Sequence, residues 1–130
     1  MYEIVERYGF VASHQIHGLP DTHPCSGVHS HRWVAEVILV FSRPMAADGR
    51  AEPVTLEPLR RHCVKELDGK HLNDVLFGAP TPARLASHVA AWCLENLGPQ
   101  AALALSAVIV SSDVNSRVRY TVPRTRGNQC

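Results

Sequence analysis

His29 and His31 stand two residues apart at the head of the apolar run 32–41, and this pair limits what the chain can become. Side chains of a strand alternate between its faces, so an H-x-H pair entering a strand aims both imidazoles the same way. Two imidazoles on one face are two arms of a metal clamp. A third arm is available in His14. It follows a run in which Tyr2, Ile4, Tyr8, Phe10, Ala12 and His14 share one parity, with Glu3, Arg7 and Ser13 on the other, the pattern of a strand with one buried face. A hairpin between the two runs lays His14 beside the start of the second. Three imidazoles with no obvious fourth protein ligand are the donor set of a catalytic zinc site that keeps one position open. The segment 17–28 joining the runs carries Gly18, Pro20, Asp21, Pro24, Ser26 and Gly27 and reads as a long loop, a length more often functional than idle.

The remaining pattern surrounds this hairpin. In the second run Trp33, Ala35, Val37, Leu39 and Phe41 alternate with Val34, Glu36, Ile38 and Val40, so one face is apolar, the other nearly so, and the strand is central or covered on both sides. A turn or loop follows from Pro44 to Pro53. Thr55 can cap a helix whose Leu56, Leu59, Cys63 and Leu67 recur at helical spacing until Gly69 stops it. The stretch 71–77 is short. Thr81 before Pro82 starts a second helix, with Leu85, Val89, Cys93 and Leu97 as its buried stripe, Trp92 beside it and Gly98 as its end. Strands are expected over 102–112 and 117–122, separated by the turn at Asn115 and Ser116. The order ββααββ predicts an α+β layer: an antiparallel four-stranded sheet with two helices on one face, one domain over 1–123, and a disordered tail over 124–130.

Composition narrows the partners. Thirteen Lys and Arg against twelve Asp and Glu leave a formal charge of +1, too weak a field to attract nucleic acid. No apolar run is long enough for a bilayer, and the start 1–4 lacks the basic and apolar regions of a signal peptide, so the expectation is a cytoplasmic protein without membrane contact. The four cysteines share no C-x-x-C spacing and are expected to be thiols. Cys63 and Cys93 fall on apolar stripes and read as core; His62 and His88 read as solvated or interface groups on helices. Of the eight histidines, His14, His17, His23, His29 and His31 crowd into one segment, a clustering that marks metal or pH-sensitive sites. His17 and His23 read as loop residues.

In that order, four pieces resemble the 6-pyruvoyltetrahydropterin and 6-carboxytetrahydropterin synthase (QueD) family: Phe10-Val-Ala-Ser-His14, Cys25-x-x-x-His29-x-His31, Leu67-Asp68-x-x-His71-Leu72-Asn73 and Pro80-Thr81. The resemblance spans nearly the whole chain and implies the tunnelling fold, or T-fold. Subunits of that fold join their sheets into a barrel, as a homo-oligomer (hexamer or trimer) with active sites between subunits. It implies Zn²⁺ on His14, His29 and His31, Cys25 as the base that moves a substrate proton, and an Asp-His pair in support. The family substrate is 7,8-dihydroneopterin triphosphate. A metal that acidifies carbon-bound protons beside a thiolate is chemistry consistent with those roles.

The departures from the family lie around the clamp. The Asp-His pair falls on Asp68 and Gly69, so its histidine is missing, and His71 can replace it only if the turn redirects the ring. The glutamate that anchors the pterin ring falls on Ser112, which cannot offer a charged two-oxygen acceptor. Asp113 is adjacent, but a shift of one residue along a strand changes face unless a bulge intervenes. Asp68 and His71 are therefore candidate catalytic residues beside Cys25, and Ser112 and Asp113 candidate substrate contacts. The expected function is that of a zinc-dependent lyase or synthase acting on a pterin-like or related heterocycle, diverged from the standard reaction. The alternative is a metal-stabilised oligomeric ligand-binding protein without catalysis.

Overall fold

The computed structural model describes residues 2–24, 26–41, 56–114 and 116–123. Cys25, the loop from Pro44 to Pro53, the Thr55 cap, Asn115 of the last turn and the tail 124–130 lie outside the described residues.

Two long strands form the expected hairpin. β1 (Tyr2–His14) and β2 (His29–Phe41) pair antiparallel through thirteen residues, with His14 opposite His29 and Ala12 opposite His31. β3 (Leu105–Ser112) pairs with β2 and β4 (Arg117–Thr121) with β3, giving an antiparallel sheet in the order β1-β2-β3-β4. This is the predicted α+β sheet, with β2 central as its two apolar faces required.

One face of the sheet carries the helices. α1 (Glu57–His62) runs into a wider π-helical turn (Cys63–Leu67), which closes with the Asp68 amide donating to the Cys63 carbonyl at 2.9 Å. Gly69 then turns the chain with φ +73°, a conformation that costs glycine little, and donates its amide to the Val11 carbonyl at 2.7 Å. The end of the first helix is thereby fastened to the outer edge of β1. After the short α2 (Leu72–Val75), α3 (Pro82–Asn96) starts as predicted: the Thr81 hydroxyl accepts from the Arg84 amide at 3.2 Å, and Leu85, Val89 and Cys93 are buried. They pack on Phe10, Ala12, Trp33, Ala35, Val37, Leu39, Val108 and Val110 of the sheet, and Leu59, Cys63, Leu67 and Leu72 complete the core. Burial pushes the Cys63 thiol up to about 11 and that of Cys93 up to about 12, so both remain neutral core groups.

One boundary differs from the sequence reading. Residues 102–104 were expected in the third strand but belong to a fourth helix, α4 (Pro99–Ala104). Proline at its first position and three alanines favour helix there, and burial of Ala101, Ala104 and Leu105 at helical spacing rewards it. β3 therefore begins at Leu105, across a register shift opposite Ile38 and Leu39. On the sheet's other face Ile38, Ala107 and Ile109 form a small apolar cluster, and Arg117 pairs with Glu36 at 3.0 Å. Among the described residues no helix is long and apolar enough to cross a membrane.

Candidate metal centre

His14, His29 and His31 meet on the helix-covered face, at the end of the sheet where β1 finishes and β2 begins. Their ring centroids lie 4.4, 4.8 and 5.2 Å apart, and one nitrogen from each falls within 4.8 Å of the others. Hairpin parity explains why they face one another.

What the far side of each ring touches decides how it can act. The Nδ1 of His14 lies 2.8 Å from the Pro80 carbonyl, and that of His29 lies 2.8 Å from the Gly27 carbonyl. A carbonyl only accepts, so both Nδ1 atoms carry the proton and both Nε2 atoms are bare acceptors. The Nδ1 of His31 meets the Asp113 carboxylate at 2.6 Å, which fixes the same tautomer. The Nε2 atoms of His14 and His29 are fully buried and have no hydrogen-bond partner among the described residues. A buried acceptor without a donor is expensive, and a cation at the centre of the three rings is a group that removes the cost. Metal-ligating histidines are oriented by such outer hydrogen bonds to carbonyls and carboxylates. Burial, then the neighbouring imidazoles His29, His31 and His71, hold the His14 pKa below its ordinary value against the opposing effect of Pro80. The neutral ring is the form that ligates. The residues present therefore fit a divalent metal.

Of the other sequence-selected residues, Asp68 and His71 lie against β1 and Ser112 ends β3. The Asp68 carboxylate accepts from the Val11 amide at 2.9 Å, and the Nδ1 of His71 meets the Ser13 hydroxyl at 2.8 Å, with Ser13 and His71 bridged in parallel. Both therefore lie along the free edge of β1, within three residues of His14. Ser112 stands opposite Trp33 on the clamp's face and accepts from the Val114 amide at 3.4 Å. Cys25 lies outside the described residues; its neighbour Ser26 has its carbonyl held by the Gln15 side-chain amide at 2.9 Å. Asn73, the last residue of the family-like motif 67–73, has a role that the sequence alone does not reveal. Its side-chain oxygen accepts from the Gln15 amide at 2.8 Å and its nitrogen donates to the Gln15 carbonyl at 2.9 Å, so it extends the strand edge just past His14. Its place in the family-like motif ending Leu72-Asn73 was the available signal.

A family model, that of 6-pyruvoyl tetrahydropterin synthase, matches residues 3–123. The chain belongs to that family. Among solved structures it resembles 6-pyruvoyl tetrahydropterin synthase of Caenorhabditis elegans, at TM-score 0.74 and 16% identity over 94% of this chain and 96% of that one. It also resembles an uncharacterized protein of Wolinella succinogenes, at TM-score 0.70 and 16% identity over 92% and 97%. No curated protein matches it by sequence. The family's T-fold is thus the fold of this chain.

A second histidine cluster lies on the helices. His62 and His88, read from sequence as solvated or interface groups, are half-buried with Nε2 atoms 3.4 Å apart, and His62 stacks on Trp92 with ring centroids at 4.5 Å. They border an open groove of about 510 Å³. Burial first, and for His62 also the facing His88, lowers both pKa values from 6.5, while Glu66 acts against this at His62. Because the folded state prefers the neutral rings, their contribution to stability is complete above about pH 6.5 and is lost as pH falls below it toward the lowered values. The melting midpoint is expected to fall between about pH 7.5 and about pH 5. The fall should be shallower in a His62→Gln/His88→Gln variant, and equal slopes would contradict this account.

Proposed function

We propose that the chain is a zinc-dependent lyase or synthase that cleaves a carbon-oxygen or carbon-carbon bond in a pterin-like or related heterocycle, diverged from the standard family reaction. One observation carries the proposal: three imidazoles have their Nδ1 atoms engaged from outside and their Nε2 atoms turned inward, two of them buried and without a hydrogen-bond partner among the described residues. His14, His29 and His31 hold the ion, and zinc when bound supplies Lewis acidity toward substrate oxygens.

The chain's own groups do the rest. Cys25, four residues before His29, takes the proton from the substrate carbon, and His71 with Asp68 tunes or relays that proton at the edge of β1. Divergence rests on what stands in the recognition positions. Ser112 has no carboxylate for a ring's amino and imino groups, and the carboxylate of Asp113 is spent on His31. The same reading includes action in the cytoplasm and assembly as a hexamer or trimer with the sites between subunits. Val5 and Val11 on the helix-free face are 45% and 46% exposed, apolar surface that a barrel of joined sheets would cover.

Zinc analysis with turnover assays tests the proposal. Purified protein is expected to hold one zinc per chain and to process 7,8-dihydroneopterin triphosphate far more slowly than standard family members. Metal-free protein with full activity would refute it. Cys25→Ala should retain zinc and lose turnover by roughly 100-fold or more. A parent without turnover, whose Cys25→Ala variant binds zinc and heterocycle as before, would favour the alternative, a metal-stabilised binding protein.

A further inference from the structure

We propose that Asp113 is a positioning residue of the metal centre, whose carboxylate sets zinc affinity by fixing the tautomer and orientation of His31. This rests on the proposed zinc reading and deepens it. From sequence, Asp113 is a candidate substrate contact standing in for the family glutamate one residue away. β3 ends at Ser112, so Asp113 lies beyond the strand and is released from the alternation that would have turned it to the opposite face. Its Oδ1 reaches the His31 Nδ1 at 2.6 Å, and its Oδ2 lies 3.5 Å from the Arg32 amide.

Of the three outer partners this one is different in kind. Pro80 and Gly27 offer neutral main-chain carbonyls, which no side-chain substitution removes. Asp113 offers a charge, and it is a side chain reaching across 82 positions of sequence. A carboxylate on Nδ1–H leaves Nε2 as the acceptor and raises its basicity, the outer arm of a carboxylate-histidine-metal triad. Without it the His31 ring is free to carry its proton on Nε2, the form that cannot ligate.

Competition for Zn²⁺ against a chromophoric chelator at fixed neutral pH tests this, with wild type, Asp113→Ala, Asp113→Asn and Ser112→Ala compared. Asp113→Ala is expected to weaken zinc binding by about 10–100-fold. Asp113→Asn, isosteric and able to accept from Nδ1–H without the charge, should fall between it and wild type. Ser112→Ala should match wild type. Asp113 is exposed, so its variants should fold, and their melting curves without zinc check that they do. One-to-one zinc binding by wild type with equal affinity in Asp113→Ala overturns this inference and leaves the metal centre standing. Failure of wild type to bind zinc overturns both.

Discussion

Replacing His29 with alanine is expected to abolish stoichiometric zinc while leaving the fold in place. Loss of an outer partner of a metal-bound histidine costs about 10–100-fold in affinity, so loss of a ligand itself, from three to two, should exceed the upper end of that range. His29 is the ligand to choose. It is only half-buried and stands at the first position of β2, whereas His14 is 5% exposed and continues the core row of Phe10 and Ala12. Binding to the folded state alone raises stability by about 2.7 kcal/mol when free ion is at one hundred times its dissociation constant. Wild type should therefore melt higher with added zinc than with chelator, and His29→Ala should melt alike in both. A His29→Ala protein that still gained stability from zinc would show that the three rings are not one site. The same comparison separates the metal from the reaction, because it reads binding without any substrate.

That the clamp was legible at all comes from the strictness of strand parity. Period-two alternation put His14 in the row of Phe10 and Ala12, and the H-x-H spacing put His29 and His31 in the row of Trp33, so a hairpin alone brings the rings together. The outer partners were hidden for a different reason. Pro80 and Asp113 lie 66 and 82 positions from the histidines they orient, and nothing local in either segment marks them as partners of an imidazole. For Asp113 the face rule even pointed the wrong way, since it presumes that the strand continues. The register Trp33 opposite Ser112 corrects it: the next residue out meets the His31 end of β2 once the strand has stopped. The fastening of Asp68, Gly69 and Lys70 to Val11 and Ser13 was equally unmarked, because edge pairing of a turn with a strand leaves no periodic trace. Helix α4 was missed because its apolar residues also fit a strand, and only Pro99 and the alanines favoured the helix.

Trp33 is where core and metal centre become the same object, and truncating it is the second large effect expected. The indole is 1% exposed, donates from Nε1 to the Ala12 carbonyl at 3.1 Å, and stands edge-on to His14 and His31 with ring centroids at 5.1 and 5.5 Å. Trp33→Ala should cost about 3–5 kcal/mol from transfer and cavity terms, a large share of the 5–15 kcal/mol typical of a folded domain. Trp33→Phe keeps most of the ring and removes the hydrogen bond, so about 1–2 kcal/mol is expected. Urea unfolding of metal-free protein measures both. Zinc then distinguishes this residue from a ligand. Each Nε2 donor survives in the Trp33 variants, so their lost stability should be partly restored by raising free zinc. In His29→Ala no concentration in the same range should restore anything. If Trp33→Ala instead proved as blind to zinc as His29→Ala, the indole would be holding the rings in place rather than merely filling the space behind them.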